Sequence, residues 1–292
     1  MSVINILFLL FTSATVHSAT WKSVYKTAQG PAVTTVISSC PTGYVGVPAM
    51  LPYTPRYFCV SKYEMKKDPD GSTPIATPTG SLWVSVTRDN ARAACQGLGV
   101  NYDLISNEQW QAIVRNIAGV ASNWSSGTVA SGALSNGHTD NTPNTQLNAV
   151  ADDNDACNGT GQTCSSTVWD AQRRTHKLSN GNVIWDLGGN LAEWVTNDNT
   201  VKYATDTFAS QMTAGDRMQI AYGAPTETIC AAPAGAPYCG MGKGLFSGGD
   251  TGTMSRGGTY SIGTNAGIFT TDTRDKAANY WTDTGFRCVY VP

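Results

Sequence analysis

Trp185-Asp-Leu-Gly-Gly-Asn-Leu-Ala-Glu-Trp194 joins two short strand candidates, Val183–Trp185 and Glu193–Val195. Both tryptophans read as core, because aromatic side chains bury large areas. Toward the C-terminus the pattern continues in Arg256-Gly-Gly-Thr-Tyr260 and Gly285-Phe-Arg-Cys-Val-Tyr-Val291, the latter read as one strand. Gly257 and Gly258 suit a tight turn, or an approach where a Cβ would clash. Arg256 and Arg287 read as planar forks that hold carbonyls or carboxylates.

Toward the N-terminus, Val86 to Leu98 reads as a helix. Thr87 is its N-cap, Ala91, Ala94 and Leu98 share a face, and Gly97 or Gly99 stops it. Ser106 opens a second helix, with Gln109 placed as in a capping box. Trp110, Ile113, Val114 and Ile117 then recur at helical spacing, and Gly119 ends it. Tyr57 to Met65 alternates as a strand, Thr175–Leu178 is another, and Trp21 to Val47 reads as irregular strands. Lys66 to Gly80 and Gly242 to Gly252 read as loops. Residues 122–164 are rich in Asn, Asp, Ser, Thr and Gly, and far exceed the usual connection of about 4–6 residues. They read as an ordered insertion held by turns. Two helices, many short strands and long loops make an irregular α+β domain.

Of the 292 residues, 41% are hydrophobic, enough for a large core, and 14% are charged, against roughly 25% in an average globular protein. Net charge is −2, from 19 basic and 21 acidic residues. No basic patch points to nucleic acid. The apolar run Val3 to Phe11, with Val16 and Ser18 at cleavage-site positions, reads as a signal peptide over residues 1–18. It lacks the usual basic residue near Met1. It is too short for a membrane span, which needs roughly 20 residues. All eight cysteines follow it. Disulfides are the leading reading and zinc the second, though knuckle spacing is absent. Short loops favour Cys157 with Cys164 and Cys230 with Cys239.

Taken together, Phe58-Cys-Val-Ser-Lys-Tyr-Glu64, Leu104-Ile-Ser-Asn-Glu-Gln-Trp110, the 185–194 stretch, Arg256-Gly-Gly and Gly285-Phe-Arg-Cys288 come in a telling order. They resemble the formylglycine-generating enzyme, or sulfatase-modifying factor, family, over roughly residues 55–291 with the insertion unmatched. The resemblance implies a C-type lectin-like fold of that subtype over residues 55–292, after an N-terminal extension at 19–54. It also implies a Cys95–Cys288 bridge, which leaves Cys40 with Cys59. It further implies a structural calcium held by the side chains of Asp186 and Glu193 and the carbonyls of Gly189 and Leu191. An all-oxygen set suits calcium. Asp186 replaces the family's Asn, and Ala192 stands where Trp is common.

The family's two copper-binding cysteines fall at Ile262 and Gly267, so no copper is expected. The related iron-dependent sulfoxide synthases need a histidine cluster, and only His17, His138 and His176 occur. No Gly-x-Ser-x-Gly elbow anchors a serine triad. Asp152-Asp-Asn-Asp155 lacks the EF-hand pattern and reads as a solvated turn.

Between the framework motifs, Asn265-Ala-Gly-Ile-Phe269 resembles the variable proteins of diversity-generating retroelements, which display a C-terminal patch of hypervariable residues. The resemblance implies a binding surface over residues 260–284, made by Tyr260, Ser261, Ile262, Thr264, Asp272, Arg274, Asp275, Asn279, Tyr280, Trp281 and Asp283. Tyr and Asn are also what recognition loops favour. Phe269 and Phe286 are expected to anchor it. The leading expectation is a secreted or cell- or virion-surface binding protein whose partner is a protein or another surface ligand. The alternatives are an oxidoreductase of the formylglycine-generating type with an atypical active site, and a structural surface-assembly protein.

Overall fold

The computed structural model describes residues 39–198 and 253–292. The expected signal peptide, most of the N-terminal extension, the Gly242–Gly252 loop and the Cys230–Cys239 pair lie outside the described residues. In chain order the strands are β1 (Tyr44–Val47), β2 (Phe58–Ser61), β3 (Lys66–Lys67), β4 (Pro74–Ile75), β5 (Ser81–Leu82) and β6 (Tyr102–Leu104). They continue with β7 (Thr175–Lys177), β8 (Val183–Trp185), β9 (Ala192–Asp198), β10 (Thr253–Arg256), β11 (Thr271–Asp275), β12 (Thr284–Phe286) and β13 (Cys288–Tyr290). The helices are α1 (Arg88–Gly97) and α2 (Asn107–Ala118). The described residues thus form the expected irregular α+β domain.

Both helices start where their caps dictate. Thr87 Oγ1 accepts from the Asn90 amide at 3.2 Å. Ser106 Oγ accepts from the Gln109 amide at 3.2 Å, and Gln109 Oε1 from the Ser106 amide at 2.9 Å. These bonds satisfy amides that the first helical turn leaves without partners. Trp110, Ile113, Val114 and Ile117 are fully buried in the main core. The polar Asn107 and Gln111 are buried too, because their side-chain oxygens take Arg256 at 2.6 and 3.3 Å.

Two four-stranded sheets carry the fold, in the orders β1-β2-β13-β6 and β11-β10-β9-β12. Within the second, β12 runs parallel to β9 while β10 is antiparallel to both its neighbours. Gly285–Val291 is therefore not one strand. The chain leaves the second sheet after Phe286 and enters the first at Cys288. Arg287 between them is fully buried. Its guanidinium donates to Glu193 Oε1 at 2.8 Å and to the carbonyls of Ser61, Lys62, Trp185 and Asp186. A buried fork with this many acceptors holds the two sheets at one corner.

The Tyr57–Met65 strand ends at Ser61. The loop expected over Lys66–Gly80 contains β3 and β4, a short hairpin whose turn is closed by Asp68 Oδ1 accepting from the Ser72 and Thr73 amides. Asp70 Oδ1 also accepts from the Ser72 amide, an Asx turn in which a side-chain oxygen takes the place of a backbone acceptor. Cys95–Cys288 ties α1 to β13, Cys40–Cys59 reaches β2, and Cys157–Cys164 closes a loop in the insertion.

The insertion is ordered, and Asp153 is one of the residues that hold it down, beside Arg174, which donates to the carbonyls of Leu147, Asn148 and Asn158. The Asp153 carboxylate accepts from Lys62 Nζ and Trp185 Nε1, both at 2.8 Å. The Asp152–Asp155 turn is thus a tether and not merely solvated. The two donors come from distant parts of the chain, so local sequence does not show them.

Candidate binding cleft

Strand alternation puts one side chain of each strand of the second sheet on a common face. Ser255 of β10 pairs with Asp272 of β11, and Ala192 of β9 with Thr284 of β12. These four line the floor of a cleft of about 360 Å³. The other face carries Glu193, Arg256 and Thr271, again in register. The walls come from the turn after β10 (Gly258, Thr259, Ile262), from Thr270 just before β11 and Asp275 at its end, and from Trp281 and Asp283 before β12.

The path of this segment is fixed from beneath. Gly257 and Gly258 have φ of +87° and +77°. A Cβ on Gly257 would lie 2.8 Å from the Leu187 carbonyl oxygen, and one on Gly258 2.8 Å from the Ala266 Cα. Only glycine accommodates both the left-handed backbone and the contact. Phe269 and Phe286 are buried as expected, with Ala266 and Ile268 beside Phe269 in the chain. Above these anchors, Tyr280 is 64% and Trp281 48% exposed.

Five of the eleven expected binding residues line the cleft: Ile262, Asp272, Asp275, Trp281 and Asp283. Asn279 stands behind it, donating from Nδ2 to Asp275 Oδ1 at 3.2 Å. Ser261 and Thr264 are exposed nearby. Tyr260 is half-buried and stacks on His138 with ring centroids 6.0 Å apart. Arg274 belongs to β11, and its side chain lies outside the described residues. Sequence reasoning missed the floor, Ala192, Ser255 and Thr284, and the wall residues Gly258, Thr259 and Thr270. Small residues on short strands carry no signal until the strand order is known.

The cleft is acidic. Asp272, Asp275 and Asp283 line it, and no Lys or Arg does so among the described residues. Burial, with the Asp275 charge adding to it, raises the Asp283 carboxyl above the usual aspartate range against opposing hydrogen bonds.

The expected calcium ligands do not fit the ion. Asp186 takes Arg174 Nε and Nη2 at 2.7 and 2.8 Å. Glu193 takes Arg287. Calcium would have to displace a guanidinium from each carboxylate. Asn190 Nδ2 and the Leu191 amide donate to the buried Glu64 at 2.6 and 3.1 Å, which holds the loop from a third side. Among the described residues no three His, Cys, Asp or Glu side chains are grouped to hold a metal. The loop expected to hold calcium at Asp186, Gly189, Leu191 and Glu193 is braced in this structure by Arg174 and Arg287. Burial pushes Glu193 up to about 7 despite Arg287.

Other candidate chemistry is walled off. Ser135 Oγ lies 3.1 Å from His176 Nε2, but both residues are buried, and burial pushes His176 down to about 3. Ile262 and Gly267 offer no metal-binding side-chain atom.

The chain matches no protein-family model and no curated protein sequence. Among solved structures, Treponema denticola variable protein 1 is similar at a TM-score of 0.45 and 12% identity, over 89% of this chain and 100% of that one. The Major Tropism Determinant U1 variant is similar at 0.42 and 14%, over 87% of this chain and 53% of that one. PvdO from Pseudomonas aeruginosa is similar at 0.40 and 12%, over 86% of this chain and 92% of that one. At these scores and identities the likenesses establish neither a shared family nor a shared function.

Proposed function

We propose that this chain is a ligand-binding protein of C-type lectin-like fold, of the retroelement variable-protein kind, that presents residues 260–284 around the cleft. The observation that supports this most is the division of labour within one segment. Its base is locked by Gly257, Gly258, Phe269 and Phe286, while Ile262, Asp275, Trp281 and Asp283 face a concavity. Concave sites with a few polar groups are where ligands bind. Residues of that kind can change without disturbing the core beneath them. The three disulfides suit an oxidising compartment, as a secreted or surface-displayed protein requires. Among the described residues no helix is long and apolar enough to cross a membrane.

The test is a display library in which Ile262, Asp275, Tyr280, Trp281 and Asp283 are randomised and panned on unrelated target proteins. Folded clones that bind different targets through these positions are expected. Clones that unfold, or that bind only through residues 122–164, would overturn the reading. A near-copy of the DNA for residues 255–288 beside a reverse-transcriptase gene would support the retroelement assignment, and its absence from the source genome would remove it.

A further inference from the structure

We infer that His138 is a pH-sensitive latch between the insertion and the segment that bears the cleft: a proton taken up at its Nδ1 tightens the insertion onto the turn at residues 260–263. The inference concerns the wall of the cleft and holds whether or not the cleft takes a ligand.

The insertion and this segment are knitted together around the His138 ring. The Asn141 amide donates to the Tyr260 carbonyl and the Gly263 amide to the Thr139 carbonyl, both at 2.9 Å. The Asn190 amide donates to the His138 carbonyl at 2.8 Å, and the Tyr260 amide to the Asn190 carbonyl at 3.0 Å. The ring is buried and stacks on Tyr260, with the two planes 14° apart. Ile262, in the turn held this way, walls the cleft.

The ring's own bonds decide what a proton does there. Nε2 lies 2.9 Å from the Thr145 carbonyl oxygen. A carbonyl only accepts, so Nε2 carries a hydrogen, and in the neutral ring Nδ1 is the bare acceptor. Nδ1 is buried and has no hydrogen-bond partner. The Asp140 carboxylate, another acceptor, lies 3.9 Å from it. The neutral ring thus sets acceptor against acceptor and leaves a buried atom unsatisfied, which is costly. A proton on Nδ1 puts a donor beside the carboxylate instead, and a small inward movement makes a charge-assisted bond. The positive ring also gains against the face of Tyr260. Burial opposes the charge, but the charged ring satisfies both nitrogens where the neutral ring satisfies one.

The titratable groups that face the ring are Asp140 from the insertion and Tyr260 from the turn after β10. The loop between β8 and β9 meets His138 through Gly189 and Asn190, which carry no charge. Glu64 and Arg174 stand behind Asn190, Glu64 bonded to its side chain and Arg174 to the Leu147 carbonyl that the same side chain holds.

The experiment follows the isotope-labelled full chain by NMR at about pH 5.5 and about pH 7.5, the range in which imidazoles ordinarily change charge. Amide protection is corrected for intrinsic exchange. The Asn141 and Gly263 amides are expected to be about two- to fivefold better protected at the lower pH, and their resonances to titrate with the His138 ring. His138→Gln, whose side-chain amide can still donate to Thr145, should lose that dependence. If this variant fails to fold, Asp140→Asn carries the comparison, since it removes the charge but keeps an oxygen for the Thr142 amide. Equal protection at both pH values, or weaker protection at the lower one, would overturn the latch. A dependence that survives unchanged in the folded variant would overturn it too, by assigning the effect to another group.

Discussion

Trp110 Nε1 donates to the carbonyl of Ile268 at 2.8 Å, across 158 residues of sequence. This bond joins the buried face of α2 to the middle of the segment that bears the cleft. The indole also packs beneath Gly257, 3.6 Å from where a Cβ would stand. Trp110→Phe keeps an aromatic ring but leaves a buried carbonyl without its donor. We expect a loss of about 2–4 kcal/mol in urea unfolding. A loss below about 0.5 kcal/mol would show that this link does not hold the segment.

Asp283→Asn reads out a carboxyl at the cleft through its effect on stability. The folded carboxyl titrates above its unfolded value, so the folded state holds extra proton above the usual aspartate range. Its contribution to stability is greatest at low pH and is lost as pH rises through the folded value. The asparagine variant should therefore melt no lower than wild type at pH 7. Thermal melts of the two proteins at pH 4 and pH 7 check this. A variant that melts clearly lower at pH 7 would contradict it.

Glu193 gives a pH signature in the core. Its folded value of about 7 against 4.5 means that its stabilising contribution is complete below about pH 4.5 and lost on rising through 7. His176, pushed from 6.5 to about 3, works oppositely: its contribution is present above 6.5 and lost as pH falls. The difference curve between Glu193→Gln and wild type isolates the first effect, and should slope between pH 4.5 and 7. Arg287→Met should cost about 3–5 kcal/mol, since it strands a buried carboxylate.

Replacing Cys95 and Cys288 together with alanine opens a loop of 193 residues. Chain entropy alone predicts a loss of about 5 kcal/mol. Thermal melts at matched pH measure it. A change under about 1 kcal/mol would place the constraint elsewhere.

Calcium should leave the melting temperature unchanged, because Arg174 and Arg287 occupy the carboxylates of Asp186 and Glu193. A chelator titration checks this. A calcium-dependent rise that Asp186→Asn abolishes would restore the metal site.

The helices, their caps, three of the disulfide pairs and the glycine turn after Arg256 were legible from local patterns and motif resemblance. Each depends on neighbours in the chain or on a motif whose residue types are few. The switch of sheets at Arg287 was not legible, since the five acceptors that bury its guanidinium come from β2, β8, β9 and their flanks. The arginine bracing of the loop expected to hold calcium was not legible for a like reason: the motif supplies oxygens, but their pairing with guanidinium groups depends on Arg174 and Arg287, at other places in the chain. The exposed half of the cleft, Ile262, Asp275, Trp281 and Asp283, could be named from composition and resemblance. Most of its floor could not, because Ala192, Ser255 and Thr284 join Asp272 in one surface only when four strands from separate parts of the chain align in register.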